Sequence, residues 1–160
     1  MDFDHRLKRA ISRGQFAKTS RVREAEMQKL NEEELRNLHT QARIELTDHI
    51  EACLRKLVDH FPGFQYSSVL DADGWGAKIR RDDLDLSGGR RNQQYSQLQL
   101  LINAYNAVHV IELNIKGTVR NKEVISRRHF QQLQDLDIQS FSELIDLWVL
   151  EYAEKYAAAN

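Results

Sequence analysis

The chain has 160 residues, of which 41% are hydrophobic and 29% are charged, and its formal net charge is −1. This composition excludes a Pro- or Gly-rich disordered chain, and the charge balance excludes a wholly basic nucleic-acid coat. A chain of this length buries about two-thirds of the surface that its unfolded form exposes, so it needs no disulfide or metal for stability. No stretch approaches the ~18 consecutive apolar residues of a membrane span, which predicts no membrane partner.

Positive charge is concentrated in the first 23 residues, which have a net charge of +5, whereas residues 24–61 have a net charge of −4. This basic start contains no apolar signal-peptide core, and Asp2 and Asp4 are atypical of a transit peptide. The chain also has a single cysteine. Together these features predict a cytoplasmic protein, because reducing compartments disfavour disulfide-rich chains.

Two helices are predicted before residue 62. Apolar residues that recur every three or four positions indicate helices over 4–29 and 32–61. Asn31, followed by three glutamates, is typical of an N-cap with acids on the first turn. Pro62 ends the second helix, because the residue before a proline avoids the helical conformation.

The second predicted helix is unusually long. Thirty residues at 1.5 Å each span about 45 Å, whereas a compact chain of this length is about 39 Å across. A first helix that folds back on it would form a hairpin over residues 1–61, either as part of one domain or as a dimerisation arm. Such a pair of helices would leave one apolar edge uncovered. We predict that a second copy of the chain covers this edge, which gives a homodimer.

An antiparallel sheet is predicted after Gly63, where the apolar period changes to two. Asp73-Gly74 is typical of a type I′ hairpin turn, and Asn106-Ala107 would join another hairpin. The Asp-, Gly- and Arg-containing stretch 82–94 is typical of a solvent loop. The predicted strands cover 64–70, 75–81, 95–105, 108–119 and 124–130.

A C-terminal helix is predicted to cover this sheet. Ser140 to Glu143 is typical of a capping box, and a wide apolar stripe follows it up to Tyr156. Residues 62–160 therefore form an antiparallel sheet plus a C-terminal helix. The predicted fold class is α+β, with two long N-terminal helices, a five-stranded antiparallel meander and a C-terminal helix packed on the sheet.

His49 and Cys53 are weak candidate metal ligands. They are four residues apart, as two ligands on one helical face must be. A site would need a further ligand, such as His109 or His129 of the sheet. Cys53 fits a small core residue equally well, so we predict neither a metal nor a cofactor.

Three arginine pairs and a glycine-containing loop are candidate anion sites. Guanidinium groups and free backbone amides suit a phosphate or a carboxylate. The alternative is that the neighbouring Asp82, Asp83 and Asp85 neutralise the arginines. The candidates are Arg80, Arg81, Gly88, Gly89, Arg90, Arg91, Arg127 and Arg128.

The basic N-terminal helix is a candidate nucleic-acid surface. Clustered lysines and arginines contact several phosphates, and such contacts dominate non-specific affinity. The alternative is that this helix packs on the acidic second helix within the same molecule. The candidate residues are Arg6, Lys8, Arg9, Arg13, Lys18, Arg21 and Arg23.

The sequence contains no recognisable catalytic motif, since it has no Gly-x-Ser-x-Gly, P-loop or dinucleotide-binding pattern. We therefore expect a non-enzymatic interaction module, dimeric through its long helices, that holds a protein or a small anionic partner. One alternative is nucleic-acid binding through the basic helix. A second is a small-molecule pocket or an active site between the sheet and the C-terminal helix, edged by Tyr105, His109 and His129.

Overall fold

The computed structural model describes the backbone of residues 3–159, and the side chains of these residues except 24–31 and 87. Within that range an N-terminal helical region, five strands and a C-terminal helix follow one another, and the predicted α+β class with its antiparallel meander is confirmed. No helix in the described range has a stretch long and apolar enough to cross a bilayer. The bounds are α1 Phe3–His60, β1 Gln65–Asp71, β2 Gly74–Asp85, β3 Asn92–Ile102, β4 Val110–Val119, β5 Lys122–Gln132 and α2 Ile138–Ala159.

Both predicted N-terminal helical segments are helical, and they lie within α1. The side chain of Asn31, predicted to cap the second segment, lies outside the described residues. The chain divides into two compact units, the N-terminal unit Met1–Asn37 and the sheet unit Leu38–Asn160. The predicted fold-back of residues 1–61 into a hairpin stays a prediction.

The core of the sheet unit lies on one face of the sheet. Register pairs align inward side chains across the strands, so that Ala77, Leu100 and Ile115 form one buried row. Apolar side chains at helical spacing on the second half of α1 pack in the same core, because that spacing keeps them on one side of the helix. Those of α1 are Ala42, Leu46, Ile50, Leu54 and Leu57, and those of α2 are Phe141, Ile145, Trp148, Val149, Tyr152 and Tyr156.

Both helical layers of the sheet unit cover this same face. The Arg43 guanidinium of α1 lies 4.0 Å from the ring centre of Trp75 on β2. Tyr152 of α2 packs against Gly117 on β4, and its hydroxyl donates to the carbonyl of Thr118 at 2.8 Å. Gly117 lies in register with Leu98, an inward residue of β3. The sheet therefore has a covered face and an opposite face that no described helix of this unit covers.

The turn chemistry differs from the prediction at the first hairpin. Asp71 pairs with Gly74, and the Asp71 carboxylate accepts from the backbone amides of Asp73 and Gly74 at 2.8 and 3.2 Å. Asp73 does not have the positive φ that a type I′ turn requires. That geometry occurs instead between β4 and β5, where φ is 48° at Arg120 and 68° at Asn121. The hairpin itself is confirmed.

Two predicted loops were wrong in extent. The predicted loop 82–94 is mostly strand, because β2 and β3 stay paired until Asp85 meets Asn92. Conversely, β3 ends early, so a loop over 103–109 replaces the tight turn predicted at Asn106-Ala107. Asn103 stabilises this loop, since its Oδ1 accepts from the amide of Glu112 at 2.8 Å.

The start of α2 was also predicted wrongly. Ser140 does not cap the helix but lies in its first turn. Asp137 precedes the helix, and its carboxylate accepts from the amide of Ser140 at 3.4 Å. This places the acidic side chain where the positive end of the helix dipole favours it.

Candidate functional site

The uncovered side of the sheet, opposite α2 and the Leu38–His60 part of α1, is the open face. Outward side chains on β3, β4 and β5 form two adjacent rows there, because register pairs align them. One row is Gln99, Lys116 and Ser126, and the other is Leu101, Asn114 and Arg128. With about 4.8 Å between strands and about 6.8 Å between successive outward residues, the six positions occupy a patch of about 10 by 7 Å.

These six residues line a pocket of about 620 Å³ that opens to solvent. Lys116, Ser126 and Arg128 are exposed. Gln99, Leu101 and Asn114 are half-buried. Five of the six side chains bear hydrogen-bonding groups. The pocket is therefore lined by polar side chains that one small ligand can contact together. These five residues, the polar cluster, are Gln99, Asn114, Lys116, Ser126 and Arg128.

Positive charge dominates this polar cluster. Lys116 makes no ion pair with any residue that the structure describes. The Arg128 side chain is 77% exposed, and its Nε lies 3.7 Å from a Glu112 oxygen, a separation too long for a strong hydrogen bond. Asp73 also lines the pocket. Lys78, aligned with Gln99 on the neighbouring strand, adds a further cation beside the pocket.

Arg80 also lies on the open face but outside this pocket. Its guanidinium contacts Asp82 at 3.1 Å and lies 4.5 Å from the ring centre of Tyr95. The alternation of the strands places Arg80 and Arg128 on the same face of the sheet. However, β2 and β5 are three strand spacings or about 14 Å apart, and the two arginines are also offset by four register positions along the strands. The structure therefore does not bring the two arginines together on one small ligand.

Arg81 and Arg127 lie on the covered face and are held by internal partners. Arg81 contacts Asp83 at 2.9 Å and donates to the carbonyl of Pro62 at 3.0 Å. The hydrogen bond to Asp83 is the largest cause that raises the pKa of Arg81. Arg127 forms an ion pair with Glu151 of α2. Both arginines join the sheet to its covering elements, which leaves them poorly placed for a ligand.

The Gly88 to Arg91 loop is exposed at the far end of the β2–β3 hairpin. Gly88 and Gly89 have φ values of 75° and 74°, a backbone conformation that favours glycine. Arg90 and Arg91 are exposed. Arg91 is eight residues, or about 27 Å of strand, from Gln99, the cluster residue on β3. The loop is therefore a separate surface from the pocket.

The seven basic candidates of the N-terminal unit are all exposed on α1. Between residues 3 and 23, only Ser20 is even half-buried. The large apolar side chains of this segment are exposed too, with Leu7 at 44% and Ile11 at 52%. The segment thus presents charged and apolar groups together.

His49 and Cys53 of α1 meet a residue that the sequence did not single out. Asp146 of α2 accepts from the Cys53 thiol at 3.4 Å, and the same oxygen lies 2.8 Å from His49 Nε2. Burial, with Asp146 as a further cause, raises the pKa of the Cys53 thiol to about 11. The thiol is therefore protonated near neutral pH.

The predicted cleft between the sheet and α2 is not assembled as expected. The rings of Tyr105 and His109 lie 5.9 Å apart, and Tyr105 also contacts His39, which is buried and whose pKa is lowered by burial. His129 instead packs edge-on against Phe141 at 5.0 Å. Buried α2 side chains fill the space over the sheet there.

Sequence reasoning singled out Arg128 but missed the other four residues of the polar cluster on the open face. Its residues are scattered over three strands and no two of them are adjacent in the sequence. The sequence does indicate that Gln99 and Lys116 point outward, because each alternates with buried residues. That the two side chains lie next to each other depends on the register between β3 and β4. Comparison of the chain with protein-family models, curated proteins and solved structures finds no match.

Proposed function

We propose that this protein is a non-enzymatic cytoplasmic binding module that holds a small anionic ligand, bearing phosphate or carboxylate groups, on the open face of its sheet. The observation that carries the proposal is the polar cluster, with two cations and three neutral hydrogen-bonding side chains around one pocket. The free thiol of Cys53 supports a reducing compartment.

The spacing of the two cations suits a single anionic group. Lys116 is directly opposite Ser126, and Arg128 is two residues further along β5. Diagonal neighbours of this kind are about 7–8 Å apart at Cα, so both long side chains reach an anion held between them. Charge-assisted hydrogen bonds from an ammonium and a guanidinium are stronger than neutral ones.

The neutral side chains and the size of the pocket define the ligand further. Gln99, Asn114 and Ser126 supply donors that orient a ligand without adding charge. The volume of about 620 Å³ lies within the range of small-molecule sites. A carboxylate at the rim, that of Asp73, favours a ligand that also carries a donor such as a hydroxyl or an amine.

Calorimetric titration of the intact chain with tripolyphosphate and with citrate tests this proposal. We expect binding that weakens by about tenfold in each of Lys116→Gln and Arg128→Gln, because each removes one charge-assisted hydrogen bond. Affinity should also fall as salt is added, since the groups are exposed.

Two matched variants separate the pocket from general surface charge. Lys122→Gln removes an exposed lysine from β5 outside the pocket, and we expect it to leave affinity unchanged. The double change Arg90→Gln and Arg91→Gln tests the loop in the same way. Absence of binding at millimolar probe, or binding that only the loop variant weakens, would contradict the proposal.

A second candidate function is self-association through the N-terminal unit. Exposed Leu7 and Ile11 are one helical turn apart, and Phe3, Phe16 and Val22 are also exposed. In proteins most helical stability comes from the packing of an apolar face rather than from helix propensity. We propose that the helix of a second copy supplies that face, which gives a homodimer.

Light scattering of the intact chain at tens of micromolar tests the dimer. We expect a mass twice 18.7 kDa and a monomeric mass for the double variant Leu7→Asp and Ile11→Asp. The change Glu33→Gln, at an exposed position of the same unit, should leave the mass unchanged. A monomeric intact chain contradicts the dimer, and salt-steep DNA binding lost on Arg6→Glu and Arg9→Glu would assign the helix to nucleic acid instead.

A further inference from the structure

His49, Cys53 and Asp146 form a cluster of three potential metal ligands, the His49 cluster. Their ligand atoms lie within 4.8 Å of one another. His49 Nε2 is 2.8 Å from the Asp146 oxygen, Cys53 Sγ is 3.4 Å from that oxygen, and the two α1 atoms are 3.8 Å apart. The cluster is on the covered side of the molecule, so it is separate from the open face.

These separations match one face of a tetrahedral zinc site. Bond lengths of about 2.3 Å to sulfur and about 2.0–2.2 Å to nitrogen or oxygen place tetrahedral ligand atoms about 3.4–3.6 Å from one another. The separations that involve sulfur, 3.4 and 3.8 Å, differ from these values by about 0.2 Å, and the nitrogen–oxygen separation of 2.8 Å is about 0.6 Å shorter. Small side-chain rotations would open the triangle enough for an ion.

The scaffold fixes the three side chains. His49 and Cys53 project from one face of α1 because they are four residues apart. Buried Ile50 and Leu54 hold that helix in the core, and buried Ile145 holds α2 beside Asp146. Ligands presented by two packed helices keep their relative positions without an ordered loop.

An ion can reach this site from solvent. The side chains of His49 and Asp146 are 34% and 53% exposed. Three protein ligands also leave the fourth tetrahedral position open to water, the arrangement of zinc sites that bind a further ligand.

We propose that the His49 cluster binds a zinc ion through His49 Nε2, Cys53 Sγ and an Asp146 carboxylate oxygen. On binding, the Cys53 S–H bond breaks, a sulfur–zinc bond forms, and the proton passes to solvent. A thiolate and a carboxylate balance the two positive charges of the ion. The mixture of nitrogen, sulfur and oxygen ligands suits zinc rather than magnesium or calcium, which prefer oxygen.

Zinc bound here would tie α1 to α2 and stabilise the folded state. An ion that binds only the folded protein raises its stability in proportion to the logarithm of ion concentration over the dissociation constant. Zinc is therefore expected to raise the melting temperature of the intact chain. Titration in buffers of different ionisation enthalpy should show close to one proton released per zinc bound, because Cys53 starts protonated.

Cobalt substitution tests ligation of the sulfur. Cobalt(II) added to the intact chain should produce a sulfur-to-cobalt charge-transfer band in the near ultraviolet, and Cys53→Ser should abolish it. Asp146→Asn and His49→Gln should weaken zinc binding by more than about tenfold, the minimum that loss of even an outer partner costs. His60→Gln, an exposed histidine at the end of the same helix, serves as the control and should change neither signal.

Three results would overturn the proposal. The first is a melting temperature that does not respond to zinc. The second is a cobalt complex without a sulfur band, or with a band that survives Cys53→Ser. The third is an equal loss of zinc affinity in His60→Gln, which would assign the metal to surface histidines.

Discussion

Replacing Tyr152 with alanine is expected to lower the free energy of unfolding by about 3–5 kcal/mol, the range for removal of a buried aromatic ring. Tyr152 is fully buried, its ring packs against Gly117, and its hydroxyl donates to the carbonyl of Thr118 at 2.8 Å. Burial also raises the pKa of Tyr152, so the hydroxyl remains a donor across the ordinary pH range. Urea unfolding followed through Trp75 and Trp148 measures the loss.

Tyr152→Phe separates the hydrogen bond from the packing. This change keeps the ring and removes only the donor to Thr118, so we expect a smaller loss of about 1 kcal/mol. If Tyr152→Ala cost no more than Tyr152→Phe, the ring would not pack α2 onto β4, and the covered face of the sheet would be misassigned.

Replacing Gly117 with valine is expected to cost about 3 kcal/mol or more, the upper range for overpacking a filled core. A Cβ atom at Gly117 would lie 2.7 Å from a Tyr152 ring carbon and would also collide with Ile125. Either α2 must move away from β4 or the strand must shift. The same urea experiment measures the effect.

A double-mutant cycle links these two changes. Tyr152→Ala leaves space where the valine at position 117 would otherwise collide, so the combined variant should lose less than the sum of the single losses. Gly14→Ala is the control glycine, because nothing lies within 4 Å of its added Cβ. Additive losses would mean that Tyr152 and Gly117 do not share the space.

Much of the fold follows from local patterns in the sequence. Pro62 predicts the end of α1 within two residues of its position. Alternation of apolar and polar residues predicts each of the five strands, since one face of the sheet is buried and the other is exposed to solvent. The apolar stripe from Phe141 to Tyr156 predicts the covering helix, and every residue of that stripe is buried except Leu144, which is half-buried.

The candidate sites depend on tertiary relationships that local patterns do not contain. Gln99 and Lys116 meet only because β3 and β4 pair in one register, and a slip of one strand by one residue would place the two side chains on opposite faces of the sheet. Asp146 reaches Cys53 only because α2 packs beside α1. The arginine pairs were misleading for a related reason. Consecutive residues of a strand point to opposite faces, so Arg81 and Arg127 are directed toward internal partners.

Chemical-shift mapping of the isotope-labelled intact chain with tripolyphosphate tests the central claim, an anion site on the open face. We expect shifts that saturate with one ligand bound and that are largest at the amides of the polar cluster, Gln99, Asn114, Lys116, Ser126 and Arg128. Lys116→Gln should reduce these shifts at equal probe concentration. Saturable shifts confined to Arg90 and Arg91, or to the basic helix, or no shifts at millimolar probe, would contradict an anion site on the open face.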